Sequence, residues 1–159
     1  MRVTPILATL ASANIASAML MRIAAGKVSW SWTVTGWSAG CAETCHYDFN
    51  VTGIGNSTDK PPSPSFKAYC SGEGEGADFK ACTQLEESET RLAVKAKLLP
   101  NNNSTNGSSH QPQIQVSLQY IDLKTESTWW NFTGQAEASY NQLALMNFTI
   151  TPDTIYGVA

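Results

Sequence analysis

Two histidines and four cysteines are the side chains in this 159-residue chain best suited to chemistry: His46, His110, Cys41, Cys45, Cys70 and Cys82. A serine or cysteine hydrolase needs a nucleophile, a base and a group that orients the base. His110 lies in a polar, low-complexity stretch where a base would not be held in place, and an even set of cysteines in an exported chain is expected to be bridged. Cys41 and Cys45 with the adjacent His46 have a permitted zinc spacing, but Cys70 and Cys82 are too far apart to form a second knuckle, so no metal site is expected. The acidic residues Glu73, Glu75, Asp78, Glu86, Glu87 and Glu89 crowd two turns, and Glu43, Asp48, Asp122, Glu126 and Glu137 stand apart. Glycoside hydrolysis needs two carboxyl groups about 5 to 9 Å apart across a walled cleft, and nothing in the pattern predicts one. The glycine-rich segment 71–78 lacks the ligand spacing of a calcium loop. No catalytic residue and no cofactor are therefore expected, and the chain reads as a non-enzyme.

Tryptophan is the more suggestive residue. Trp30, Trp32, Trp37, Trp129 and Trp130 are many for a chain this short. Adjacent residues of a strand point to opposite faces, so one ring of the Trp129 and Trp130 pair must face solvent, and parity selects Trp129. Trp37, just after Gly36, is expected to share that exposure. An exposed indole stacks on a sugar or anchors a protein contact. Trp129 and Trp37 are thus the candidate binding surface.

The elements that must position these side chains are strands. Val28, Trp30, Trp32 and Val34 alternate with hydroxyl residues, and Tyr47, Phe49 and Val51 alternate with polar ones. The same period of two runs through Leu92, Val94, Ala96 and Leu98, and through Ile114, Val116, Leu118 and Tyr120. Runs at 128–133 and 146–151 and shorter ones at 65–70, 80–85 and 154–158 complete the set, with one weak helical turn around 135–145. About eight short antiparallel strands with one dry face predict an all-β fold, an antiparallel β-sandwich or flattened β-barrel with two disulfides. Four cysteines allow three pairings. Cys41 with Cys45 and Cys70 with Cys82 is slightly favoured, because each pair flanks a polar turn. The proline run at 61–64 is expected to be stiff and extended, and the polar stretch 100–112 to be a mobile loop.

The N-terminus predicts export. Met1 and Arg2 precede an uncharged stretch at 3–16 rich in small and aliphatic residues, and Ala16, Ser17 and Ala18 fit the small-x-small pattern of signal cleavage. Residues 1–18 are read as a signal peptide, 19–27 as a short propeptide or flexible N-terminus, and 28–159 as a single secreted β domain. Without Arg2, nine Lys and Arg face thirteen Asp and Glu, a net charge of about −4. No basic stripe exists for nucleic acid, and no segment of the mature chain predicts a membrane span. Seven of the ten asparagines begin an Asn-x-Ser/Thr sequon: Asn50, Asn56, Asn102, Asn103, Asn106, Asn131 and Asn147. Chance gives about two, so N-glycosylation is expected, with Asn50, Asn131 and Asn147 on the polar faces of their strands.

The segment WTVTGW at 32–37, the spaced pair Cys41 and Cys45, and HYDFNV at 46–51 resemble a pattern in small secreted proteins of filamentous ascomycete fungi, distantly similar to the Alternaria major-allergen family. That resemblance implies a disulfide-bridged β-sandwich or barrel and an effector- or elicitor-like role without shared catalytic residues. This chain departs from the allergen pattern in having no cysteine in its second half. The expected function is a secreted, non-enzymatic glycoprotein at a host or cell-wall interface, its partner a host protein or a cell-wall glycan. The alternatives are a carbohydrate-binding module using an exposed Trp and, further off, a small extracellular hydrolase.

Overall fold

A computed structural model describes residues 19–22, 29–88, 90–100, 111–122, 124–125, 127–141, 143 and 145–158. The expected signal peptide, the sequons at Asn102, Asn103 and Asn106, and also Val28, His110, Glu89 and Glu126, lie outside them. So does most of the expected mobile loop.

The described chain is all-β, with two antiparallel sheets packed face to face. Eleven strands follow in order: β1 (Met19–Arg22), β2 (Trp32–Cys41), β3 (Cys45–Gly53), β4 (Phe66–Glu73), β5 (Lys80–Ala81), β6 (Thr83–Gln84), β7 (Leu92–Leu98), β8 (Gln113–Ile121), β9 (Trp129–Glu137), β10 (Met146–Ile150) and β11 (Pro152–Val158). The six-stranded sheet has the order β1-β11-β9-β8-β7-β5, and the five-stranded sheet β10-β2-β3-β4-β6. About eight strands were expected. The excess comes from β1 and from 80–85, which divides into β5 and β6 around Cys82; there, and between β10 and β11 around Thr151, the chain changes sheets. Each corner carries the chain from one sheet to the other, so both sides of the sandwich are closed by a turning strand. Met19–Arg22, expected within a propeptide or frayed end, pairs with β11 from Met19 opposite Gly157 to Arg22 opposite Thr154. Among the described residues of 135–145 no helix forms, because Gln135 and Glu137 continue β9 opposite Gln115 and Gln113, and the Ala138 amide donates to the Pro112 carbonyl.

Alternation places the core where the sequence predicts it. Val34, Phe49, Val51, Ala68 and Cys70 of one sheet meet Val94, Ala96, Leu98, Ile114, Val116 and Leu118 of the other, all buried. Two aromatic groups fill the ends: Trp30 and Trp32 pack edge-to-face with Phe66, and Trp37 packs with Tyr47, Phe49 and Phe148. The indole nitrogens of Trp30 and Trp32 are buried without a hydrogen-bond partner among the described residues. Both indole rings pack edge-to-face against each other and against Phe66.

Polar groups tie the sheets together. The Tyr47 hydroxyl, on the five-stranded sheet, donates to the Ala96 carbonyl of β7 at 2.9 Å. Gly72 makes room for that ring, since a Cβ there would lie 2.5 Å from the Tyr47 hydroxyl oxygen. The buried Tyr120 hydroxyl donates to the Pro62 carbonyl at 2.9 Å. The proline segment therefore folds back over the end of the sandwich, with Asn56 bridged to Ser63, and does not run out as a stiff extended arm.

The disulfides join Cys41 to Cys45, closing the β2–β3 hairpin, and Cys70 to Cys82. Cys82 stands between β5 and β6, where the chain changes sheets. Its amide donates to Val94 of β7 and its sulfur reaches Cys70 of β4, so both sheets hold the crossing point.

The turn between β8 and β9 is organised by Asp122. Its carboxylate accepts from the Trp130 indole at 2.7 Å and from the amides of Lys124 and Thr125 at 2.7 and 2.9 Å. Burial raises the energy of the charged form, but these bonds and the nearby Lys124 charge outweigh it and hold the carboxyl below its ordinary 3.8. At the other extreme, burial pushes the Tyr47 hydroxyl from 10.0 up to about 12. Tyr120 and Tyr140 are raised as well, by burial first and then by Asp122 and Asp59 for Tyr120 and by the Glu75 hydrogen bond for Tyr140.

Linkage gives the signs. Asp122 contributes stability above 3.8, which is lost as pH falls through its lowered pKa; the tyrosines contribute stability below 10.0, which is lost as pH rises through their raised ones. Urea midpoints measured from pH 2 to 12 should trace a dome. In Asp122→Asn the acid limb should flatten, with a loss of about 2 kcal/mol at neutral pH from weakened charge-assisted bonds. An acid limb of unchanged slope would contradict that role.

Candidate functional site

A pocket that draws on β7, β8, β9 and β11 lies on the outer face of the six-stranded sheet. Residues of odd number on β7, β8 and β9 and, from Thr154 onward, of even number on β11 share that face by register. Lys95 stands opposite Ser117, Ser117 opposite Thr133 and Thr133 opposite Thr154, and the next row runs Ala93, Gln119, Asn131, Tyr156. Cross-strand neighbours of this kind lie about 5 Å apart, so the two rows form a continuous polar floor. With Gln115 and Phe79 they line an open groove of about 590 Å³, inside the size range of small-ligand sites. The Lys97 ammonium sits 4.5 Å from the centre of the Phe79 ring at one side.

The floor is rich in uncharged amide and hydroxyl groups. Gln115, Gln119 and Asn131 supply amides, and Ser117, Thr133, Thr154 and Tyr156 supply hydroxyls. Among the described residues Lys95 is the one charged lining residue, and no described carboxylate or histidine lines the groove. Tyr156 is 40 % exposed. Trp129 does not line the groove; it is the next residue on this face of β9 beyond Asn131, and is 36 % exposed. Its register partners are Ile121 and Val158. The face thus offers two partly exposed aromatic rings beside a row of neutral hydrogen-bonding groups.

No family model, curated protein or solved structure matches this chain.

Trp37 is not part of this face. It is fully buried, and its indole donates to the Ser139 carbonyl at 2.8 Å. Exposure was expected of Trp37 because it follows Gly36, and parity counted straight through that glycine would also place residue 37 on the polar face. There the pairing of β2 with β3 shifts by one residue between Thr35 opposite Asn50 and Ser38 opposite Asp48, and Gly36 has φ 65°. One inserted residue reverses which face the following side chains occupy, so Trp37 and Ala39 turn inward. A glycine inside an alternating run was the available signal.

The other candidates are dispersed. Exposed His46 lies on β3 opposite Gly40 and Glu73 in register. The Tyr140 hydroxyl donates to the Glu75 carboxylate, and Lys67 pairs with Glu86 at 3.1 Å. Segment 71–78 serves as the crossover from β4 towards β5: the Gly74 amide donates to Cys45 and the Gly76 amide to Leu98. Among the described residues no three His, Cys, Asp or Glu are placed to hold a metal ion, and no helix is long and apolar enough to cross a membrane.

The four described sequons occupy three regions. Asn50 and Asn147 lie on the outer face of the five-stranded sheet, where the Asn147 Oδ1 accepts the Gly36 amide at 3.1 Å. Asn56 is exposed in the loop before β4, donating to Asp59 at 2.9 Å. Asn131 alone of the four lines the groove. Gln115, Gln119, Thr154 and Tyr156 were missed as site residues, since alternation shows each to be on a polar face but not that β7, β8, β9 and β11 are neighbours.

Proposed function

We propose that this chain is an exported, non-enzymatic domain that binds neutral glycan at a host or cell-wall surface through the outer face of its six-stranded sheet. One observation carries the proposal: a groove of about 590 Å³ whose lining is mostly amides and hydroxyls and includes the partly exposed Tyr156, with the partly exposed Trp129 beyond it on the same face. Sugars present hydroxyl groups around their rim and C–H bonds on their faces. Amides and hydroxyls match the first, and an indole or phenol face matches the second. The described lining residues include no carboxylate or histidine, so they supply neither partner of a two-carboxylate hydrolysis nor a general base, which supports binding over turnover. The leader-like N-terminus, the sequons and the resemblance to secreted ascomycete proteins support the extracellular setting and an effector-like role.

Titration of chitin, β-glucan, xylan and cellulose oligosaccharides into the unmodified protein should give binding to at least one of them. Trp129→Ala should weaken it about tenfold and Tyr156→Ala by a similar factor, the loss of one stacking contact of about 1.4 kcal/mol each. Both variants are on the outer face and should keep the melting temperature of the native chain. Binding unchanged in the double variant, or capture of a host protein by a chain that binds no sugar, would overturn the proposal.

A further inference from the structure

The groove contains a sequon of its own. Asn131 and Thr133, the first and third residues of the sequon Asn131-Phe132-Thr133, both line it. Asn131 sits mid-strand, opposite Gln119 of β8 on one side and Tyr156 of β11 on the other. Its Oδ1 accepts from the Ser117 and Thr133 hydroxyls, each at 3.2 Å. Its Nδ2, the atom that N-glycosylation modifies, makes no hydrogen bond among the described residues. Modification therefore leaves both recorded bonds in place. Asn50, Asn56 and Asn147 are elsewhere, so a glycan on any of them leaves the groove clear.

We propose that Asn131 carries an N-glycan whose first sugars lie along the groove as a resident ligand, so that the modified chain is closed to external glycan and the unmodified chain is open. This rests on the glycan-binding reading above and adds its regulation. Half-buried in a paired strand, Asn131 must be modified while the chain is still extended. In that step Nδ2 attacks the anomeric carbon of a lipid-pyrophosphate-linked oligosaccharide. The C1–Nδ2 bond forms, the C1–O bond to pyrophosphate breaks with its electron pair on the departing lipid pyrophosphate, and Nδ2 loses one of its two protons. Once β9 pairs, the attached sugar is confined over Gln119 and Tyr156. A tether this short holds the sugar at an effective concentration in the millimolar range, enough to compete with a free oligosaccharide at an open site.

The test compares the native chain from a eukaryotic secretion host with the same sequence from a bacterial periplasm, where it is unmodified. Glycopeptide mass should find Asn131 occupied. Amidase release of the glycan from the folded protein should be at least tenfold slower at Asn131 than at Asn147, and the two rates should converge after unfolding. The unmodified chain should bind β-glucan or chitin oligosaccharide at least fivefold more tightly than the Asn131-modified chain, while Asn147→Gln in the eukaryotic host should leave the difference unchanged. An unoccupied Asn131, or a glycan released as fast there as at Asn147, would overturn the resident glycan. A protected Asn131 glycan with no external sugar bound by either chain would uphold its placement and overturn instead the binding function proposed above.

Discussion

Trp37→Ala should destabilise the protein by about 4 kcal/mol, the middle of the range for removing a large buried aromatic. The indole is fully buried and contacts three rings, stacked on Tyr47 at 6.4 Å and angled against Phe49 and Phe148 at 5.6 Å each. It also satisfies the Ser139 carbonyl, which ties the segment between β9 and β10 to the five-stranded sheet. Alanine leaves a cavity and an acceptor without its donor, and the two costs add. For a domain of this size the melting temperature should fall by about 10 °C or more. Trp37→Phe keeps most of the volume but not the donor, so it should cost roughly half as much. Urea denaturation of the three proteins measures both numbers. If Trp37→Ala lost under 1.5 kcal/mol by that order-of-magnitude scale, the inward turn at Gly36 would be wrong.

The second large effect belongs to the Cys70–Cys82 bridge, with a sequence separation of 12. Closing a loop of that length restricts the unfolded chain by about 3 kcal/mol. Position adds to it, because Cys82 marks the point where the chain leaves one sheet for the other and β5 and β6 are only two residues each. Strands so short make little pairing energy of their own. The Cys70→Ala, Cys82→Ala double variant should therefore lose about 3 kcal/mol, together with protection of the 80–84 amides from hydrogen exchange. The Cys41–Cys45 bridge closes a hairpin already paired along β2 and β3, and its removal should cost clearly less. Equal losses for the two double variants, by chemical denaturation, would contradict the role given to Cys82.

The contrast between these two sites reflects what alternation can and cannot specify. Ile114, Val116, Leu118 and Tyr120 sit inward as the period of two requires, because β8 runs nine residues without a bulge and each of its neighbours pairs in simple register. Trp37 follows an inserted residue, and one insertion reverses every later side chain of the strand. The cysteine pairing was partly legible, since each pair borders a polar turn, but the reason for Cys82 was not: the sheet switch it secures is a long-range fact. The groove is further still from the sequence. Lys95, Gln119, Asn131 and Tyr156 lie on four strands, and only the order β11-β9-β8-β7 makes them one surface. Trp129 was legible as an outward ring from local parity alone, and Tyr156 was hidden in what read as a short terminal strand.

Amide chemical shifts of the unmodified protein, recorded while a bound neutral oligosaccharide is titrated in, test the central claim most directly. Saturable shifts concentrated at Gln119, Trp129, Asn131, Thr133 and Tyr156, with the outer face of the five-stranded sheet silent, are the predicted result. Shifts centred on the loop at 54–65 or around His46, or none with any of the four polysaccharide classes, would contradict it.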